Sequence, residues 1–165
     1  MGRSVIVSQG DSHCFVGVGN VLITLYWGTP TAQALRDRLP WVRATLAKYQ
    51  GVGLLVVVDS RAAGTLPDGS FREESRTQAA EFGDRVYVSA SAIEGDSLMH
   101  SLVRTFLRGL AVVSNVGFPV RFFANLSEAA GLVAELSEEP SSPSAGELVA
   151  ALEAARPSTI SQPAS

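Results

Sequence analysis

Cysteine, lysine and long apolar runs are all scarce in this sequence, and each scarcity excludes something. Among 165 residues Cys14 is the only cysteine. An internal disulfide framework is therefore impossible, and nothing demands an oxidising compartment. The longest uninterrupted aliphatic run, Leu54 to Val58, is far too short to cross a bilayer. Met1–Gly2–Arg3–Ser4 leads only into Val5–Ile6–Val7 before Gln9, Gly10 and Asp11, which is not the pattern of a secretory signal. A cytoplasmic location and no membrane insertion are the expectation. Charge is also sparse, at 18% of residues, and has no local excess in the body of the chain. Residues 137–165 hold four acids and one base, which accounts for the whole formal net charge of −3. Residues 1–136 carry twelve acids and twelve bases. Such a neutral body offers no electrostatic footprint for nucleic acid or an anionic membrane. Lys48 is the only lysine and the other twelve basic residues are arginines, a type that also favours interfaces.

What is abundant is apolar surface. Hydrophobic residues make up 46% of the chain, which excludes a wholly disordered protein or a fibrous repeat. A chain of this length buries about two-thirds of its unfolded surface, enough for a core without staples.

Val5 to Val7 is a short β-branched run that predicts a first strand. Phe15–Val18 and Val21–Trp27 flank Gly19–Asn20, a pair suited to a tight hairpin turn. Both alternating sets of Val21–Trp27 are mostly apolar, so this strand is expected to be buried on both faces. After Gly28–Thr29–Pro30–Thr31, the spacing of Leu35, Leu39, Val42, Leu46 and Tyr49 predicts a helix, with Arg36, Arg38, Arg43 and Lys48 off its apolar stripe. Pro40 predicts a kink or break there, and Gly51 and Gly53 an end. Leu54–Asp59 reads as a central, parallel strand ending in an acid. Ser60–Gly69 is a loop, and Ser70 or Asp68 can cap a helix through Phe82 with Phe71, Ser75, Ala79 and Phe82 on one side. Val86–Val88 is a short strand, and Ser97–Ser114 carries the strongest helical stripe. Val120–Ala124 is a last strand, and Asn125 with Glu128 has capping-box-like spacing before a helix to Leu136. Pro140, Ser141, Ser142, Pro143 and Ser144 then form a linker. A short helix is expected over Gly146–Ala155, with Pro157–Ser165 disordered. The alternation of strands and helices predicts an α/β sheet with a hairpin at its start.

This order resembles the STAS-like superfamily, which includes anti-sigma-factor antagonists and a broader STAS/SEC14-like group. Three segments carry the resemblance over about Phe15 to Leu136. They are Asn20–Leu25 before a long helix, Gly53–Asp59 as the central strand with its terminal acid, and Val103–Leu126 with Arg108–Gly109–Leu110, Phe118–Pro119–Val120 and Phe122–Phe123–Ala124. These are core patterns, which speak for fold more than for activity. The resemblance implies a mixed sheet with an N-terminal β-hairpin and about four helices packed on it. It also implies a serine, at the start of the helix after the central strand, that a partner kinase phosphorylates. The positional match is Ser70 in Asp68–Gly69–Ser70, although Gly69 stands in place of a serine and Phe71 in place of a glycine. The other reading of Ser70 is a simple helix cap.

Four strings carry chemistry-bearing residues without completing a site. Gly95–Asp96–Ser97–Leu98 matches the opening motif of GDSL-type esterases. Those enzymes need an Asp-x-x-His near the C-terminus, and no histidine follows His100, so a helix cap by Asp96 or Ser97 is the reading here. Gly17–Val18–Gly19–Asn20 lacks the third glycine and the helix of a dinucleotide fingerprint. Asp11–Ser12–His13–Cys14 lacks a second cluster to complete a metal site. Trp27, Trp41, Phe71, Phe82, Phe106, Phe118, Phe122 and Phe123 read as core or interface, with the lining of a lipid-binding cavity the alternative.

The expectation is therefore a non-catalytic protein–protein interaction module, with no cofactor and no metal. Residues 1–13 form an N-terminal segment, 14–136 the α/β domain and 137–165 an acidic Pro/Ser-rich tail. The partner is another protein or a second copy of the chain. It would meet the Ser60–Gly69 loop and adjoining helix faces through Arg61, Phe71, Arg72, Arg76, Arg104 and Arg108. The alternatives are a switch at Ser70 and a small hydrophobic-ligand carrier.

Overall fold

The strands of this protein lie side by side in the order in which the chain makes them. In the computed structural model, which describes residues 3–62, 67–94 and 117–156, they form one six-stranded sheet ordered β1 to β6. In β1 (Ser4–Gln9), β2 (His13–Val18) and β3 (Val21–Tyr26), each strand runs antiparallel to the next. β3, β4 (Val52–Val58), β5 (Val86–Ile93) and β6 (Val120–Phe123) are all parallel. Parallel neighbours need crossovers. Helices α1 (Ala32–Lys48) and α2 (Gly69–Phe82) supply the first two. The helix expected over Ser97–Ser114 lies outside the described residues. Two more helices follow the sheet, α3 (Leu126–Leu136) and α4 (Ala145–Ala155). The α/β class, the antiparallel hairpin at the start and four packed helices are thus present.

The hairpin turns at Gly19, whose φ of +56° lies in the left-handed region that glycine enters without a Cβ clash. Every residue of β2 and β3 is buried. That follows from having helices packed on each face, α3 and α4 on one and α1 and α2 on the other. One core cluster joins Val16, Ile23, Leu55, Val57, Ala90 and Ala92 to Ala129, Ala130 and Val133 of α3 and Leu148 and Leu152 of α4. The other joins Phe15, Leu22, Tyr26 and Leu54 to Ala34 and Val42 of α1 and Phe82 of α2.

Several local expectations change. α1 runs unbroken through Pro40, which is exposed. Its N-cap is Thr31, which accepts from the Ala34 N–H at 3.2 Å. The helix ends at Tyr49 without a glycine cap, and Gly53 lies inside β4. Arg85 does the capping instead, donating to the carbonyls of Leu46 and Tyr49 at 2.7 Å and of Gln50 at 3.1 Å. A cation at a helix C-terminus also meets the negative end of its dipole. The cap of α2 is Asp68, whose Oδ1 accepts from the Phe71 N–H at 2.9 Å, so Ser70 stands within the first turn. β5 continues to Ile93, five residues past the expected end. Asn125 caps α3 as its spacing predicts, accepting from the Glu128 N–H at 2.9 Å.

Within residues 137–156, α4 packs on the sheet. Ser144 and Glu147 form a complete capping box, and Leu148 and Leu152 of α4 are 0% exposed. An eleven-residue helix is about 16 Å long. That is close to the ~20 Å of a six-residue strand, and α4 packs on β2 and β3.

Candidate functional site

Parallel α/β sheets commonly place sites at the carboxyl ends of their strands. Here Asp59 follows β4 and Glu94 follows β5, and both are held by one guanidinium. Arg156, just past α4, donates to Asp59 Oδ2 at 3.1 Å and to Glu94 Oε1, and also pairs with Glu153. Burial works against the Arg156 charge, but Glu94 and Glu153 outweigh it and raise its pKa. Both strand-end carboxylates are thus occupied by an internal cation, and this edge reads as a fastening for α4.

A different polar group sits under α1 and α2. Arg38 falls at the i+3 position from Leu35 and i−4 from Val42, on the face that α1 buries, and is only 8% exposed. This corrects the expectation that Arg38 lies off the apolar stripe. Its Nε donates to Gln78 Oε1 of α2 at 2.9 Å. Gln78, 1% exposed, donates in turn to the Leu35 carbonyl at 2.8 Å and to Glu74 Oε1 at 3.0 Å. The Phe82 ring centroid lies 5.9 Å from the guanidinium carbon. Arg38 has no other hydrogen bond and no ion pair among the described residues. Burial lowers its pKa while Tyr26 and Glu74 oppose that. A guanidinium nevertheless stays charged at any working pH.

Arg38 and Tyr26 line the same cavity, of about 170 Å³, between the two helices and the sheet. Its walls include Leu35, Leu54, Val56, Phe71, Phe82 and Phe118, with the hydroxyls of Thr24, Ser75 and Ser89. The Tyr26 hydroxyl, buried with its side chain, has no hydrogen-bond partner among the described residues. Burial pushes its pKa up to about 12, with Arg38 opposing, so it stays a neutral donor. Two buried donors thus converge on one small chamber with apolar walls. The volume is well below the ~300–1,000 Å³ of ordinary ligand pockets and far from a lipid tunnel.

A larger cleft at the amino ends of β4 and β5, about 660 Å³, is lined by Asn20, Lys48, Arg85 and Tyr87 among others. Its Arg85 is already engaged with the α1 carbonyls.

The residues singled out from sequence divide clearly. Ser70, Arg72 and Arg76 are exposed on α2, and Arg61 is exposed in the short turn Ser60–Ala62 after β4. Phe71 faces inward and lines the cavity. Arg104 and Arg108 lie outside the described residues, as do Asp96, Ser97, His100 and Phe106. His13 is buried, packs against Phe15 in a tilted arrangement with ring centroids 4.9 Å apart, and lies 3.3 Å from Ser8 Oγ. Cys14 is 1% exposed, and burial raises its thiol pKa. No group of three His, Cys, Asp or Glu among the described residues is placed to hold a metal ion. Arg38 and Gln78 were missed as site residues, although the spacings 35–38–42 and 71–75–78–82 put both on buried helical stripes. Compared with known proteins, the chain matches no family model, no curated protein and no solved structure.

Proposed function

We propose that this chain is a non-catalytic interaction module of STAS-like fold that binds an acidic protein partner through the outer face of α2. The observation that carries the reading is a contrast among arginines. Arg36 and Arg43 of α1 pair with Glu74 and Glu81 of α2, at 3.2 and 2.7 Å. Arg72 and Arg76, one turn apart on the exposed face of α2, have no partner among the described residues. Guanidinia left exposed in this way suit the rim of a partner surface. The sequential, parallel order of strands β3 to β6 supports the STAS-like part of the reading, and a buried lone cysteine is compatible with cytoplasm.

The test uses the full chain as bait in cytosol, beside Arg72→Glu/Arg76→Glu. The expected result is a stoichiometric partner that the double variant loses while keeping its thermal midpoint. Retention of that partner by the variant, or no partner for either protein, overturns the reading. Ser70 supports a regulated form of the same module, being exposed in the first turn of α2, where a phosphate meets the positive end of the helix dipole. Ser70→Asp and Ser70→Ala should then shift partner binding in opposite directions, and equal binding by both would remove the switch.

A further inference from the structure

We propose that the chamber beneath α1 and α2 is a binding site for a small monocarboxylate, with Arg38 as its counter-ion. The inference is independent of the α2 outer face. A buried guanidinium is costly to desolvate, and proteins ordinarily pair it. Here Gln78 accepts from one nitrogen, and the Phe82 ring offers a weaker contact. The Nη groups have no acceptor among the described residues. The Tyr26 hydroxyl on the same chamber is likewise without a partner. Both groups are donors left without an acceptor there among the described residues, and a carboxylate would satisfy them. A guanidinium fork fits that group with two parallel bonds.

The rest of the lining sets the size and character of the ligand. Phe71, Phe82, Phe118, Leu54 and Val56 offer an apolar enclosure, so the body of the ligand is apolar. A cavity of about 150 Å³ takes one benzene ring. At about 170 Å³ this chamber accommodates a single ring or a short acyl chain beside its carboxylate, and not a long lipid tail. Thr24, Ser75 and Ser89 add hydroxyls that can meet a carboxylate oxygen or an ordered water.

The experiment is isothermal titration of the full chain with benzoate and with butyrate, using benzyl alcohol as the neutral counterpart of benzoate. A carboxylate is expected to bind one per chain and to raise the thermal midpoint. Benzyl alcohol is expected to bind roughly ten- to a hundredfold more weakly, the factor for a lost charge-assisted hydrogen bond. Arg38→Met should erase the preference for the anion. Should that variant fail to fold, Tyr26→Phe serves. It removes the second donor at nearly the same size, and should weaken benzoate and butyrate binding roughly tenfold while the protein stays folded by circular dichroism. The proposal is overturned if neither carboxylate binds at millimolar concentration, if benzyl alcohol binds as well as benzoate, or if folded Tyr26→Phe binds both carboxylates as the parent does.

Discussion

Gln78 uses both ends of its amide in the interior, accepting from Arg38 and donating to the Leu35 carbonyl and to Glu74. Replacing it with leucine keeps the volume but strips the buried guanidinium of its one acceptor among the described residues. Gln78→Leu should therefore cost about 2–3 kcal/mol, as for a hydrogen bond to a charged group, and lower the midpoint of urea unfolding. His13 makes a pH-dependent prediction. Burial lowers its pKa below the usual 6.5, with Asp37 opposing, so the folded protein holds the ring neutral more firmly than the unfolded chain does. Between the lowered value and 6.5 the unfolded state binds more protons, so stability rises with pH. The contribution is complete above 6.5 and is lost as the pH falls below it. Unfolding midpoints measured between about pH 7 and 5 should fall on acidification, and His13→Gln should flatten that slope. Arg38 and Gln78 went unread as interior residues for a physical reason. Polar type argues for solvent, whereas a long side chain can lie along a buried face if its head finds a partner on the next helix. Only their helical positions, three and four residues from the apolar ones, gave them away.

Among the elements, α4 tests how far composition can mislead about structure. Residues 137–165 differ from the body in charge and in Pro/Ser content, and that difference suggested a tail. Yet Leu148 and Leu152, spaced four apart behind a complete capping box, are among the largest fully buried side chains. Leu148→Ala should cost about 2–5 kcal/mol, with a cavity left against β2 and β3. Ser144→Ala should cost about 1 kcal/mol through loss of the cap. Thermal melts of the two variants read both, and equality of Leu148→Ala with the parent would mean that α4 does not dock in solution. Aliphatic strands such as β3 and β4 were legible because a buried parallel sheet selects for them. β5 was cut short because Ser89, Ala90, Ser91 and Ala92 have low strand propensity. Small side chains suit that place: α3 packs on β5, and Ala90 and Ala92 share a cluster with Ala129 and Ala130.

Across the whole molecule, the chain after α3 is tied down at both ends of the sheet. At the hairpin end Asn20, 1% exposed, donates to the Gly51 carbonyl and Ser137 Oγ at 3.3 Å and accepts from Ser142 Oγ at 3.0 Å. At the other end Arg156 closes on Asp59 and Glu94, so α4 is stretched between a hydrogen-bonded node and an ion-pair clasp. Neither fastening was legible, because each joins residues about a hundred positions apart whose local sequence is ordinary. The clasp has a definite energetic signature. The side chain of Asp59 is 7% exposed, so removing Arg156 leaves a buried carboxylate whose main counter-ion is gone. Arg156→Met should cost about 3 kcal/mol, and for a chain of this size that is about 6–12 °C in thermal midpoint. Removing the charge at the other end as well should restore part of the loss, because the penalty lies in the unpaired carboxylate more than in the missing attraction. Arg156→Met/Asp59→Asn is thus expected to melt above Arg156→Met alone. A double variant that melts at the sum of the two single losses would mean that the residues are uncoupled and that α4 is held by Leu148 and Leu152 without the clasp.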